Sequence, residues 1–486
     1  MNKKIIILTA TFFAVSAYSQ NSTQIEYEEW NPSQNEYQDF DIGKYTTPDI
    51  VRNQMGINFD FRSNHSRTDY SYPNNDRWDK NSYLTGNISS SFSHYINTRK
   101  KISTLAGNLS FGGNNSSQES KQTHYTIINE SSLFQQNSQN SLSLNWSNKW
   151  YFSNLIYMDY GIGSGISYNF THDKTKNQSE DSNQKQKEFT LTVSPQLGIG
   201  YGRLENVRDA SQVVYIANAL SKKGVLTRNL SYDELFELSQ IISTVKNKRF
   251  LDSRLHLIEE ITTIDSFFED NDLLADNGAA YFTTLYDMWQ YGDLFRRVLG
   301  YEISFVARPA YHYRNAKYTP EMRDFILNSN QHIISLIFNY EKPFKLNWQH
   351  SLSAAVFGGF GSISEQNKQT DNDYKNTAKD KLFSTSVNYS LGYYPNTRTH
   401  IQVSASQQIS KNVRLLRTNV DDERSTMNYY SALSANLYYY FSPNLRLAGD
   451  CRLAYLPNRT KGNEGFYYNR NAFESSFNIQ LTYFIF

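Results

Sequence analysis

From Gly56 onward the chain alternates apolar and polar residues with a period of two, the pattern of strands that are apolar on one face only. Ile57, Phe59 and Phe61 share a face in the first such segment. Leu142, Leu144 and Trp146 do so in a later one, and Leu191, Val193, Leu197 and Ile199 in another. The last stretch, 472–486, reads AFESSFNIQLTYFIF. Phe477, Ile479, Leu481, Tyr483 and Ile485 fall on one side of it; Glu474, Ser476, Asn478, Gln480 and Thr482 fall on the other. A fully polar face behind an apolar one suits a strand with lipid on one side and water on the other. Six segments are expected over 54–204 and eight over 301–486, about fourteen in all.

Their connections are one-sided in length. Tight turns are expected at 97–100, 153–154, 342–343, 395–396 and 442–444, and long polar loops at 113–140, 171–187 and 371–380 among others. A water-soluble β-sandwich does not predict such asymmetry. The expected fold is therefore an all-β transmembrane barrel of about fourteen antiparallel strands, with short turns and both termini in the periplasm and long loops outside.

Over 205–300 the period changes to that of a helix. Val213, Ile216, Ala217 and Leu220 form a stripe that Gly224 would end. Ser231, with Glu234 three residues on, fits a capping box ahead of Leu235, Leu238, Ile242 and Val245. A third helix is expected over 250–268 with Leu251, Leu255, Ile258 and Ile261 inward, and an aromatic-rich fourth over 279–297. Strand parity places this α-helical insertion on the periplasmic side. It could serve as a lumen plug, a platform for a periplasmic protein partner, a dimerisation surface or an enzymatic domain; it could also merely pack beneath the barrel.

At the N-terminus, Lys3 and Lys4 precede an apolar stretch, 5–15, and Ala17-Tyr18-Ser19 supplies small residues for a signal peptidase. Residues 1–19 are expected to be a signal peptide cleaved after Ser19. Residues 20–53 are acidic and aperiodic, with Lys44 opposing Glu26, Glu28, Glu29, Glu36, Asp39, Asp41 and Asp49. They are expected to form a periplasmic tail, either a docking segment or a solvated linker.

Composition adds that 37 tyrosines and 30 phenylalanines suit aromatic girdles at two interfaces. A net charge of +1 gives no electrostatic ground for binding nucleic acid. The single cysteine, Cys451, excludes an intramolecular disulfide. Alternation aims a mixed-charge set at the lumen: Asp60 and Arg62, then Glu302, Arg308 and His312, then Arg446, Asp450 and Arg452. Such charges either tune permeation or pair across a narrow barrel, and those of the first and thirteenth strands could meet beside the fourteenth. No nucleophile elbow, HExxH, phosphate loop or CxxC is present, and no cofactor or metal site is expected. His256 and Glu260 have metal-pair spacing on a helix, where an ordinary surface or satisfied histidine is the commoner outcome.

The closing strand, ending Tyr483-Phe484-Ile485-Phe486, resembles the C-terminal strand that Gram-negative outer-membrane β-barrel proteins present to their barrel-assembly machinery. Gln20 after the cleavage site, with heavy Asn, Lys and Tyr usage, looks like proteins of Bacteroidota-type bacteria. The resemblance implies outer-membrane lipid as surroundings and Tyr483, Phe484 and Phe486 as an assembly signal, but no activity. The expected role is a non-enzymatic channel or uptake component for small polar solutes. The alternatives are a scaffold that binds partners through 205–300 and, more remotely, a hydrolase using a residue such as His94 on the lipid face.

Overall fold

The computed structural model describes residues 37, 39–72, 75–124, 127–177, 181–248, 253–292, 296–319, 323–368, 373–417, 421–442, 445–462 and 467–483. All of them belong to one compact unit, Tyr37–Phe486. The expected signal peptide and the first part of the acidic tail lie outside the described residues, as do Phe484 and Phe486.

Fourteen strands follow one another in a single antiparallel meander. The first six are β1 (Ile50–Tyr72), β2 (Asn75–Asn97), β3 (Lys101–His124), β4 (Ile127–Tyr151), β5 (Ile156–Lys176) and β6 (Asp181–Asn206). After the insertion come β7 (Val298–Thr319), β8 (Arg323–Phe344), β9 (Trp348–Lys368) and β10 (Tyr374–Asn396). The last four are β11 (Thr399–Arg417), β12 (Asp421–Ser442), β13 (Leu445–Lys461) and β14 (Tyr467–Tyr483). Between β6 and β7 lie α1 (Arg208–Lys222), α2 (Tyr232–Asn247), α3 (Ser253–Asp270) and α4 (Ala279–Tyr291).

The strands are much longer than the alternation alone suggests. Transmembrane β-strands need about 9–11 residues, whereas β3 has 24 and β6 has 26. The polar stretches expected as loops at 113–140 and 171–187 largely continue the ladders, with Ser120 opposite Ser131 and Asp173 opposite Gln184. Beyond a lipid belt both faces meet water, so the hydrophobic period vanishes while backbone pairing persists. Apolar alternation marks the belt, not the strand ends. The N-terminal boundary shifts as well, since β1 starts at Ile50 and takes in the end of the expected tail.

Ile57, Phe59 and Phe61 on β1, Leu142 and Leu144 on β4, Val356 and Phe360 on β9 and Phe477 to Tyr483 on β14 stand exposed on the outer face. Among the described residues no ladder joins β14 to β1, and the side chains of both strands are exposed on both faces. No described helix is long and apolar enough to cross a membrane.

The main buried core is helical. Val213, Ile216, Ala217 and Leu220 of α1 pack with Leu235, Leu238 and Ile242 of α2, Ile264 and Phe268 of α3 and Leu285 of α4. The stripe of α1 is as the sequence suggests, and that of α2 is so through Ile242, Val245 being only half-buried; α3 differs. Ile258, expected inward, is 69% exposed, because α3 buries the face through Leu257, Ile261, Ile264 and Phe268. At 100° per residue, Ile258 lies about a quarter of a turn away from the centre of that face. Phe40, Ile42 and Tyr45 of the acidic tail also enter this core, around a single 3-10 turn at Ile42–Lys44. Phe40 stacks near Phe236 at 4.9 Å, and the Tyr45 hydroxyl donates to the Ser239 carbonyl at 3.2 Å. This part of the tail is thus neither a free linker nor an open docking segment, because its apolar residues are spent within the same chain.

The capping box at the start of α2 is present, with Ser231 and Glu234 bonded reciprocally. Arg228 adds a two-point ion pair to Glu234, at 2.7 and 2.9 Å. Those Arg228 bonds, helped by Ser231, hold the Glu234 carboxyl down at about 2, from an ordinary 4.5. Lowered in the folded state, this group stabilises α2 above pH 4.5, and that contribution fades as pH falls toward 2. Hydrogen exchange over 229–236, corrected for intrinsic rates, should therefore accelerate between pH 4.5 and 2.5. Glu234→Gln should exchange fast at both; a pH-independent wild type would refute the assignment.

Candidate functional site: the lumen and its helical cap

Alternation sends Lys149 of β4, Tyr157 and Asp159 of β5, Gln196 of β6 and Glu302 and Arg308 of β7 to the face opposite the exposed apolar residues. They form two adjacent bonded sets over four strands, Lys149 with Glu302 and Arg308 with Gln196 and Asp159. Lys149 Nζ donates to both Glu302 carboxylate oxygens at 2.6 Å. Arg308 donates to Gln196 Oε1 at 2.9 Å, and Gln196 Nε2 donates to Asp159 Oδ1 at 2.8 Å. Tyr157 is fully buried beneath Lys149, whose ammonium lies 5.1 Å from the ring centre. Gly200 on β6 makes room for that ring, since a Cβ there would lie 2.2 Å from Tyr157 Cζ.

The helical unit sits on one rim of the sheet and spans it widely. Within β6, Gly202 has a φ of +104° and a Cβ there would lie 2.1 Å from the Tyr301 carbonyl, so only glycine suits the position; β6 then stays paired with β7 to Asn206, just ahead of α1. Arg203 reaches back to the β2–β3 turn, donating to Asn97 Oδ1 at 2.7 Å and to the Arg99 carbonyl at 3.1 Å. Tyr215 of α1 donates to the Tyr394 carbonyl at the end of β10, and Tyr291 of α4 meets the Tyr440 ring of β12 at 6.1 Å. Arg297, buried just before β7, donates to the Leu346 carbonyl at 2.7 Å and lies over the Tyr394 ring. Thr47, ahead of β1, donates to the Asn206 carbonyl. The helical unit touches the ends of β10 and β12 and the lead into β1, so the rim curls around it, and Arg203 of β6 extends these rim contacts to β2.

Beneath this cap lies a cavity of about 480 Å³ lined by Arg296, Glu341, Gln349, Ser351, Ser390 and Tyr394. Glu341 there accepts hydrogen bonds from Gln349 and Ser351. A second cavity of about 430 Å³ lies toward the other end of the same face, between β5 and β8.

Of the residues expected in the lumen, Glu302 and Arg308 join the two bonded sets, and His312 pairs with Thr192 at 3.1 Å. The charges of β1 and β13 do not meet. Asp60 and Arg62 pair with each other along β1, Asp450 accepts from Asn478 of β14, and Arg452 donates to Tyr430 of β12. Arg446 is engaged by the Tyr438 and Tyr440 hydroxyls. Neighbouring polar groups on the same wall satisfy each charge before it can reach across. Tyr483 ends β14 exposed on the outer face. The His256 side chain lies outside the described residues, and Glu260 is buried in the helical unit. His94, on the outer face, is bonded to Asn53 at 2.5 Å.

Lys149, Asp159 and Gln196 are absent from the expected set, although Lys149 follows the alternation of Leu142, Leu144 and Trp146. The available signal is an isolated charge on a strand face otherwise made of Ser, Asn and Gly.

The molecule thus has the fold of a transmembrane β-barrel carrying an α-helical insertion, and its structural neighbours are outer-membrane β-barrels. The β-domain of the Bordetella autotransporter BrkA is 9% identical, over 72% of this chain and 91% of that one, with a TM-score of 0.23. The transport unit of the Escherichia coli autotransporter AIDA-I is 9% identical over 92% and 93%, with a TM-score of 0.21. The Bordetella pertussis alcaligin outer-membrane receptor FauA is 8% identical over 90% and 66%, with a TM-score of 0.29. No protein-family model matches the sequence, and no curated protein matches it.

Proposed function

We propose that this protein is an integral outer-membrane channel or uptake component for small polar solutes, with both termini and the helical cap in the periplasm. The observation that carries this reading is an inner face with a polar-lined cavity toward each end and the Lys149–Glu302 pair on the same wall. The cap makes conduction conditional, because Tyr215 and Arg297 must release the rim before the inner end opens. In planar bilayers the intact protein should show brief, infrequent openings. Arg297→Ala, which removes the bond to the Leu346 carbonyl, should raise the open fraction several-fold. If both proteins are folded and neither conducts, the channel reading fails. The scaffold reading would then take precedence, supported by Ile258, Phe282 and Tyr286 exposed on the helical unit.

A further inference from the structure

The cavity between β5 and β8 holds two opposite charges that have no ion-pair partner among the described residues. Asp173 lines it from β5 and Arg323 from β8. The cross-strand neighbours of Asp173 are Gln135 and Gln184, both neutral. Its Oδ1 is covered by protein and accepts no hydrogen bond. A carboxylate with an oxygen that the protein leaves unbonded offers a partner to a cationic group entering the cavity.

Arg323 is posed differently. Its Nε donates to Asn367 Oδ1 at 3.1 Å, and its guanidinium lies over the Tyr318 ring, 5.9 Å from the centre. Asn367 is only 3% exposed and is fixed in turn by donating to the Tyr374 hydroxyl at 3.1 Å. The guanidinium is therefore held from behind by neutral groups, with no carboxylate taking its charge. Between the two, Arg314 is already neutralised by Glu188 at 2.7 Å and lies over the Phe325 ring. Lys185, though it borders the cavity, projects to the opposite face by alternation.

Asp173 and Arg323 do not simply pair, because two strands stand between β5 and β8. Three strand spacings put their backbones roughly 14 Å apart on an uncurved sheet. Side chains reaching in from both sides shorten the gap but leave room for a ligand. That ligand must carry a cation at one end and an anion at the other. A single α-amino acid holds both charges on one carbon and is too short. Two or three extended residues span about 7–10 Å, and peptide amides would suit the Thr and Gln side chains between the charges.

We infer that this luminal cavity binds a zwitterionic short peptide, with its amino terminus at Asp173 and its carboxylate at Arg323. The inference deepens the channel reading and rests on the same lumen. Calorimetry on the intact, detergent-solubilised protein tests it with triglycine, N-acetyl-triglycine and triglycine amide. Capping either end should weaken binding to the wild type at least tenfold. Asp173→Asn should level the free and acetylated peptides while still preferring the acid to the amide. Arg323→Gln should level the acid and the amide while still preferring the free amine. Equal binding of all three peptides, or none at millimolar concentration, overturns the site. Bilayer currents separate the two ideas. A non-conducting protein that still discriminates the peptides keeps the site and loses the channel, whereas a conducting one indifferent to them keeps the channel and loses the site.

Discussion

Lys149→Ala is expected to lower the stability of the barrel by about 3 kcal/mol, the lower end of the range for removing one partner of a buried ion pair. Lys149 is the cation that both Glu302 oxygens contact, at 2.6 Å. The Glu302 side chain is 9% exposed and that of Lys149 26%, so some solvent screening moderates the loss. What remains after the substitution is a carboxylate on a nearly dry wall beside Tyr157 and Asp159, without the cation that offset most of its desolvation. Lys149→Met combined with Glu302→Gln removes both charges and should come within about 1 kcal/mol of the wild type. Urea unfolding in micelles, with tryptophan fluorescence as the probe, measures all three proteins. A single variant as stable as the double one would show that the pair contributes nothing.

The second large effect is expected in the helical unit. Lys246, near the end of α2, donates to Asp209 at 3.0 Å and to Gln212 at 2.5 Å on α1, and its ammonium lies 5.5 Å from the Trp289 ring centre of α4. Gln212 passes the connection on by donating to the Met288 and Trp289 carbonyls at the end of α4. Three helices therefore meet at one cation, with Lys246 12% and Asp209 9% exposed in their side chains. Lys246→Ala should lower the opening free energy of α1 and α2 by roughly 3 kcal/mol. The strand amides should keep their protection, because the sheet holds its own ladders. Native-state hydrogen exchange resolves the two parts. Unchanged helix protection would refute a structural role, and equal loss in the strands would show that cap and sheet unfold together.

Legibility in the sequence followed the physics of each region. Where one face meets lipid, apolar alternation is enforced, so Ile57, Phe59, Phe61 and the stretch Phe477 to Tyr483 announced their strands. Where both faces meet water, no such pressure acts. Asp173 consequently fell in the stretch 171–187 expected as a loop, although it sits on a paired strand. The helical stripes were legible because a dry core demands apolar residues on one face, while α3 carries two overlapping stripes and only packing selects between them. The Arg297 contacts had no local signal, because carbonyls on a distant turn supply them.

The acidic strap at 39–49 has a consequence for the order in which the molecule is made. On either side of the helical insertion, neighbouring strands can pair as successive hairpins, since every ladder joins consecutive strands; only β6 and β7 pair across the insertion. Tyr45, however, bonds to Ser239, 194 residues further along the chain, and Phe40 docks on Tyr232 and Phe236. The first described segment can therefore reach its seat only after the middle of the chain has arrived and folded. Closing that long loop carries an entropic cost that hairpin growth avoids, so refolding should end on a slow docking step. A nick between Asp49 and β1 would leave the strap on the helices and cut its tie to the first strand.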